Sequence, residues 1–262
     1  MQALFQAILT QPIFNLFVGL YNLIPDVGVV ILIITIIIKL LLYPSTNKSI
    51  KAQKDLTELQ PKLEELKKKY VGDQQKIATE TMALYKEHKV NPFGSCLPLL
   101  IQLPVFLALY WVLKSVFDGA NFDLLYSFIK NPEQINSVTL GLFDLSKNGN
   151  IFLALLAGAA QFAQAKMFTR KQPPKTAGPG AKDESMTAMM NKQMTYFMPV
   201  ITVMIGYQLP GGLALYWFLS TGITALQQVI LFRKHNGASP SATASTDKKE
   251  DKDNVIEGKI SE

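Results

Sequence analysis

The chain has 262 residues, 48% of them apolar, and a formal net charge of +6. The length allows one soluble domain or a compact helical bundle in a bilayer, but the apolar residues gather into long runs, which excludes an ordinary soluble domain. A single cysteine excludes a disulfide framework. We therefore predict an all-α membrane protein.

The N-terminal segment is apolar but interrupted. Residues 1–26 contain no lysine or arginine, so we do not expect a removable signal peptide. Residues 3–24 are apolar enough to suggest a span, yet Pro12 breaks them, and Asn15 and Asn22 then share one helical face. We predict that residues 1–26 form an external interfacial amphipathic helix, with a further span as the alternative.

The first long apolar run, Val27–Tyr43, predicts a transmembrane helix with one charged residue, Lys39. Its 13 Ile, Leu and Val residues outweigh a lysine that costs at most roughly 3 kcal/mol. Lys39 lies five residues before Pro44, which closes the run. Its position therefore fits either a lysine that snorkels to the cytoplasmic interface or a functional intramembrane charge.

Residues 44–92 are highly charged and predict a cytoplasmic helical hairpin. Leucines recur at spacings of three and four along Ile50–Tyr70, which indicates an amphipathic helix. Gly72 suits the end of that helix and Asp73 the start of a second one, which runs to about His88. The hairpin is either a solvated linker or a mobile arm beside the bundle, and the sequence favours neither.

The remaining apolar runs predict four more transmembrane helices, which gives a five-span core. In chain order the predicted segments are a span at 93–116, an external loop at 117–149, a span at 150–168, a cytoplasmic loop at 169–192, spans at 193–209 and 212–232, and a disordered cytoplasmic tail at 233–262. Lysines concentrate in segments 44–92 and 166–192, as expected of cytoplasmic loops. Five crossings then place the N-terminus outside and the C-terminus inside.

Polar side chains recur within the predicted spans. Besides Lys39 and Thr35, which lies one turn away on the same face, they are Gln102, Gln161, Gln164, Tyr216, Ser220, Thr224, Gln227 and Gln228. Uncharged groups of this kind often hold helices together. Alternatively, they line a wet cavity around Lys39 that opens toward the cytoplasm.

The sequence carries no pattern typical of an enzyme. It has no Walker loop, no metal-binding cluster and no pair of intramembrane aspartates, and both His88 and His235 lie outside the predicted spans. We therefore predict neither catalysis nor a cofactor or metal ion.

Several short motifs follow one another along residues 11–234. They are Gln11–Phe14, Ile31–Pro44, Leu59–Leu63, Met82–Pro92, Gly94–Pro104, Leu142–Ser146, Tyr196–Val200 and Leu209–Trp217. Together they resemble the YidC family of membrane-protein insertases, which has relatives in mitochondria and chloroplasts.

This resemblance implies a positively charged groove that is open to the cytoplasm and lipid but closed outside. Lys39 stands where the family usually has arginine, so the charge is kept but the planar two-pronged donor is lost. Thr35 matches a position that contacts substrate, and Trp217 stands where tyrosine is usual. The expected groove residues are Lys39, Thr35, Gln102, Gln161, Gln164, Tyr216, Trp217 and Ser220.

The implied function is that of an insertase and chaperone in the bacterial inner membrane. Hydrophilic segments of nascent membrane proteins would cross through the groove, and their apolar helices would leave into lipid. Expected partners are nascent membrane proteins, the lipid bilayer, ribosome–nascent chain complexes and the general protein translocon. The alternative is a small solute transporter or channel, although the chain shows no internal repeat of the kind transporters carry.

Overall fold

The computed structural model describes residues 2–91, 94, 97–118, 122–169 and 193–236. Most of these residues are helical, as the sequence predicts. The helices are α1 Gln2–Phe5, α2 Gln11–Leu23, α3 Val27–Leu41, α4 Tyr43–Glu58, α5 Gln60–Lys69, α6 Gln74–Glu87, α7 Leu97–Phe117, α8 Ile151–Thr169, α9 Met198–Gln208 and α10 Gly211–Asn236. The predicted loop at 169–192 and the predicted tail at 233–262 lie largely outside the described residues.

Several of the described helices can cross a bilayer. Ala3–Leu23, Leu100–Phe117 and Gly211–Arg233 are long and apolar enough singly, and α3 with α4 forms a fourth candidate bent by 68°. α8 contributes a shorter apolar stretch, Ile151–Met167. The chain is thus a helical membrane protein, whereas the number of five spans and the interfacial placement of residues 1–26 stay predictions.

Two wide helical turns in the described residues each precede a proline. π-Helical turns at Gln6–Thr10 and Gln193–Phe197 lead into α2 and α9, whose first two residues include Pro12 and Pro199. Proline has no N–H, so the carbonyl one turn earlier loses its usual partner. At the first of these turns the Gln11 amide donates to the Gln6 oxygen, an i→i+5 bond that widens the turn.

Residues close in sequence determine where α3 begins and ends. Asp26 caps α3 by accepting a 3.0 Å hydrogen bond from the amide of Val29. At the other end α3 stops at Leu41, and the chain turns into α4, where Pro44 occupies the first turn. Lys39 therefore lies in the last turn of α3, just before the bend.

A helical hairpin follows the bend. The segment Ile50–Tyr70 is not one helix, because the chain breaks at Leu59 and α5 restarts with Pro61 in its first turn. Gly72, at φ +90°, makes the tight connection to α6, and Asp73 caps α6 with a 3.0 Å bond from a backbone amide.

The loop before α8 contains a small antiparallel sheet that the sequence does not predict. A 3₁₀ turn at Phe122–Leu124 is followed by β1 (Val138–Thr139) and β2 (Phe143–Asp144), with Val138 opposite Asp144. Two-residue strands are too short to show an alternating pattern. Contacts with α3, hydrogen bonds around Asp144 and the stacking of Phe143 on Phe152 hold them in place.

The apolar core lies where α2, α3, α7 and α10 meet. Its most deeply buried members include Phe14, Phe17, Ile31, Ile34, Leu109, Leu113, Leu145, Leu213 and Tyr216. α8 packs against both α9 and α10. Gly212 lets α10 approach closely, since a Cβ there would lie 3.2 Å from side-chain atoms of Ile31 and Leu113.

Candidate functional site

Lys39 lies at a junction of three helices. Its side chain leaves the last turn of α3 and is only 7% exposed. The Nζ atom donates to Thr224 Oγ1 on α10 at 2.9 Å and to Gln102 Oε1 on α7 at 3.4 Å. The lysine therefore points between α7 and α10 and does not snorkel to the surface.

Further hydrogen bonds extend from this lysine along α10. Gln102 Nε2 donates to the Tyr216 hydroxyl oxygen, and Ser220 Oγ donates to Gln102 Oε1 at 3.5 Å. Thr224 Oγ1 in turn donates to the backbone oxygen of Ser220 at 2.9 Å. We call Lys39, Gln102, Tyr216, Ser220 and Thr224 the Lys39 cluster.

The partners of Lys39 in the described structure are all neutral. The salt bridges between described residues join Lys54 to Glu58 and Lys147 to Asp144, and neither involves Lys39. A buried cation without a counter-ion is costly. The hydroxyl and amide oxygens lower that cost but leave the positive charge uncompensated, so the cluster is suited to attract an anionic group.

Thr35 shares a face with Lys39 but is not part of the cluster. Its side chain is fully buried, and Oγ1 donates to the Ile31 oxygen one turn back at 2.6 Å. The hydroxyl is therefore satisfied within α3.

The other predicted groove residues lie at the edge of the cluster or apart from it. Trp217 is half-buried and packs edge-on against Phe106, with 5.5 Å between ring centroids. Gln161 and Gln164 are half-buried on α8, and no hydrogen bond among the described residues joins them to the Lys39 cluster.

Two residues of α10, Thr224 and Gln228, belong to the surroundings of Lys39 although they are not among the expected groove residues. Thr224 is the nearest hydrogen-bond acceptor of Lys39. Gln228, one turn further, is only 2% exposed, and its Oε1 has no hydrogen-bond partner within the described residues, nor has Oε1 of Gln227. The spacing of three to four residues along α10 was the sequence signal for both Thr224 and Gln228.

Known proteins resemble this chain in both sequence and fold. The family model described as 60Kd inner membrane protein matches residues 19–238. A membrane protein insertase YidC from Fusobacterium nucleatum is 36% identical over 207 residues, which is 79% of this chain and 86% of that relative. The chain belongs to the YidC family. The resemblance inferred from the motifs is thus confirmed.

Other YidC relatives are much longer than this chain. Those from Actinobacillus succinogenes and Pelobacter propionicus are 34% and 35% identical over 227 residues, or 86% of this chain. The chain spans only 37% and 38% of their respective lengths.

A solved structure supports the fold of this YidC-family chain. It is described as an active YidC insertase crystal structure with the first transmembrane domain resolved. The TM-score is 0.54 at 26% identity, over 88% of this chain and 46% of that one. The match over most of this chain therefore supports the overall arrangement of its helices.

Proposed function

We propose that this chain is a multi-pass protein of the bacterial inner membrane that inserts other proteins into that membrane. The names of its relatives support the activity, and the apolar helices support the location. The observation that carries the proposal is the buried Lys39 ammonium, which has only neutral partners among the described residues. Such a charge can recognise a hydrophilic segment without any covalent chemistry.

The positive charge of Lys39 attracts acidic segments of a client protein. An ammonium carries three donors, and Thr224 and Gln102 accept from Lys39 in the described contacts. A carboxylate of the client can take the remaining donor. The attraction between unit charges about 4 Å apart is about 1 kcal/mol in water but about 4 kcal/mol at an effective dielectric constant near 20.

Polar groups on α10 extend this site beyond the charge. Ser220 and Thr224 flank Lys39, and Gln228 presents a buried oxygen without a partner among the described residues. Water or the polar backbone of a client can satisfy that oxygen. A hydrophilic segment there keeps hydrogen bonds that it would lose in hydrocarbon, where each lost bond costs several kcal/mol.

The apolar part of a client would leave sideways into lipid. α7 and α9 expose apolar side chains, among them Leu100, Leu103, Val200 and Met204. α9 has 11 residues and directly continues the five-residue π-helical turn Gln193–Phe197, so the helical segment is roughly 23 Å long, shorter than the hydrocarbon core of a bilayer. A short helix favours local thinning of the bilayer and so shortens the hydrophobic path that a polar segment must cross. We propose that no nucleotide is needed.

The contacts of α2 support an external, interfacial N-terminal helix. Asn15 donates to the Leu124 oxygen at 2.8 Å and accepts from the Tyr126 amide at 2.7 Å. Asn22 donates to the Lys130 oxygen at 2.7 Å. The polar face of α2 thus binds the loop between α7 and α8 at both Asn15 and Asn22, which supports a position of α2 on the same side of the membrane as that loop.

We further propose that ribosome–nascent chain complexes dock on the cytoplasmic side, with or without a general translocon. The hairpin of α5 and α6 carries exposed basic side chains there. Lys69 and Lys76 both lie over the Tyr70 ring, at 5.3 and 5.2 Å from its centroid. Such cations suit the phosphates of ribosomal RNA.

The charge of Lys39 is tested by substitution in reconstituted vesicles. We expect Lys39→Ala to slow the insertion of a single-span client with an acidic tail about tenfold, because a loss of about 1.4 kcal/mol corresponds to that factor. We expect Lys39→Arg to remain active. Lys114→Ala is the matched control, since Lys114 lies in the last turn of α7 and faces the Trp111 ring.

Equal insertion by Lys39→Ala and the unaltered protein would rule out the charge-dependent step. The same vesicles separate an insertase from a transporter. Solute flux without insertion of the client would support the transporter, and insertion without flux supports the insertase.

A further inference from the structure

The turn between β1 and β2 exposes two leucines at a position where turns usually carry polar residues. Leu140 is 73% exposed and Leu142 is 77% exposed, with Gly141 between them. Leu140 has φ +50° and Gly141 has φ +68°. Glycine and asparagine adopt this left-handed backbone readily, whereas a bulky side chain does so at a cost. In a turn that faced water, leucine at these positions would not stabilise the fold.

This turn is fixed to the start of α3. Asp26 accepts a hydrogen bond from the Leu140 amide at 3.0 Å and another from the Thr139 hydroxyl, while it also caps α3. Thr139 packs directly on Gly28, where an added Cβ would lie 2.3 Å from Thr139 Oγ1. The two leucines are therefore held at the level of the first turn of α3.

The apolar run of α3 begins at that level, and a spanning helix meets the boundary between membrane and water where its apolar run begins. Other apolar side chains are exposed in this part of the chain. Leu23 is 79% exposed just before α3, and Leu32 and Ile36 are exposed on α3 itself. The turn therefore lies beside the start of a helix whose exposed side chains are apolar, and lipid is the occupant that this position favours over a second protein.

We propose that the segment Leu140-Gly141-Leu142 is a lipid-binding finger, with both leucines inserted into the interfacial region of the outer leaflet. Its attachment to Asp26 fixes the outer end of α3 at a defined depth. Lys39 lies at the other end of the same helix, so the finger also sets the depth of Lys39 in the bilayer. This inference does not depend on the insertase activity.

Spin labelling of the full chain tests the finger. Leu142→Cys, made with Cys96→Ser, is labelled with a nitroxide in phosphatidylcholine–phosphatidylglycerol vesicles. Collisions with oxygen, which concentrates in lipid, are compared with collisions with a water-soluble nickel chelate. The controls are Gln134→Cys, exposed in the same loop, and Leu107→Cys, exposed on α7.

We expect the label at Leu142 to collide mainly with oxygen, as the label at Leu107 does. A label that meets the nickel chelate as often as the one at Gln134 would place the turn in water and overturn the proposal. A label shielded from both reagents would indicate a protein partner, which overturns it as well. Leu140→Asn suits the backbone and should keep the fold, yet we expect it to reduce the oxygen collisions of the Leu142 label at least twofold.

Discussion

At the scale of single residues, the site depends on what surrounds Lys39. The sequence allows an ordinary lysine near a helix end, because a long side chain can reach the interface from that position. In the structure Thr224 and Gln102 hold the ammonium between the helices. The sequence thus predicts a positive charge at this position. The direction in which the Lys39 side chain points depends on partners that lie 63 and 185 residues away along the chain.

Thr224→Val should weaken both the cluster and the fold. The change keeps the shape but removes the acceptor that lies 2.9 Å from Lys39 Nζ. Hydrogen bonds between membrane helices contribute about 0.6 to 1.7 kcal/mol, so we expect a loss of that size in the free energy of unfolding in detergent. Thr202→Val is the control, since the Thr202 hydroxyl donates only within α9, to the Met198 oxygen at 3.0 Å. Equal losses for both variants would contradict a role in holding Lys39.

Asp144 should make the loop between α7 and α8 sensitive to acid. Hydrogen bonds from Ser146 and Lys147, and a weaker one from Ser137, hold the pKa of this carboxyl below its ordinary value of 3.8. A lowered pKa contributes stability that is complete above pH 3.8 and is lost as the pH falls through the folded pKa.

We therefore expect the hydrogen-exchange protection factors of β1 and β2 to be constant from about pH 5 to 7 and to fall below about pH 3.8. Asp144→Asn should remove this dependence on pH. A loop that keeps full protection at pH values well below 3.8 would show that the carboxylate contributes little.

At the scale of elements, glycine decides how closely two helices pack. Gly158 on α8 faces α9, and an added Cβ would lie 2.3 Å from Val203 Cγ2 and 3.2 Å from the Pro199 oxygen. Short helices such as α9 have little surface through which to pack on a neighbour. Small residues at the contact let the two helix backbones approach closely. The pairing of α8 with α9 therefore depends on this glycine.

Gly158→Ala should destabilise the pair by about 1 to 3 kcal/mol, as expected of overpacking. Gly222→Ala is the matched control on α10, where nothing lies within 4 Å of an added Cβ. Alanine favours a helix over glycine by about 0.5 to 1 kcal/mol, so the control should be neutral or stabilising. Thermal unfolding in detergent measures both, and a stabilised Gly158→Ala would contradict the close packing.

Some helices and caps of this chain can be predicted from its sequence, whereas one helix break and the strand pair cannot. Helices such as α3 and α7 follow from long apolar runs, and Asp73 indicates the start of α6 because capping is a local effect. The apolar stripe does not reveal the break at Leu59, because the stripe continues through it while Pro61 restarts the helix. The sequence does not reveal the β1–β2 pair either, since strands of two residues carry no periodic pattern.

At the scale of the whole molecule, the position of the N-terminus depends on how many helices cross the membrane. The polar contacts of α2 with the loop before α8 support five crossings and an external N-terminus, whereas the length of Ala3–Leu23 also permits a sixth crossing. The two arrangements place the N-terminus on opposite sides of the membrane.

Labelling of single cysteines in intact cells, with Cys96→Ser as background, distinguishes these arrangements. We expect a membrane-impermeant maleimide to label Ala3→Cys and Asn131→Cys, but to label Glu64→Cys only after the cells are opened. The positive-inside distribution of lysines is the physical reason. Protection of Ala3→Cys in intact cells would instead indicate that residues 3–24 cross the membrane.

The sequence by itself determined the membrane class, the helical fold and the family. Long apolar runs, prolines, caps and ordered motifs are local features, and each can be read without knowing what packs against it. The tertiary structure alone decided that Lys39 meets Thr224 and Gln102, that Thr35 bonds within its own helix, and that Asp26 holds the Leu140 turn. These contacts join residues on different helices and loops or depend on burial, so their partners follow from packing in three dimensions.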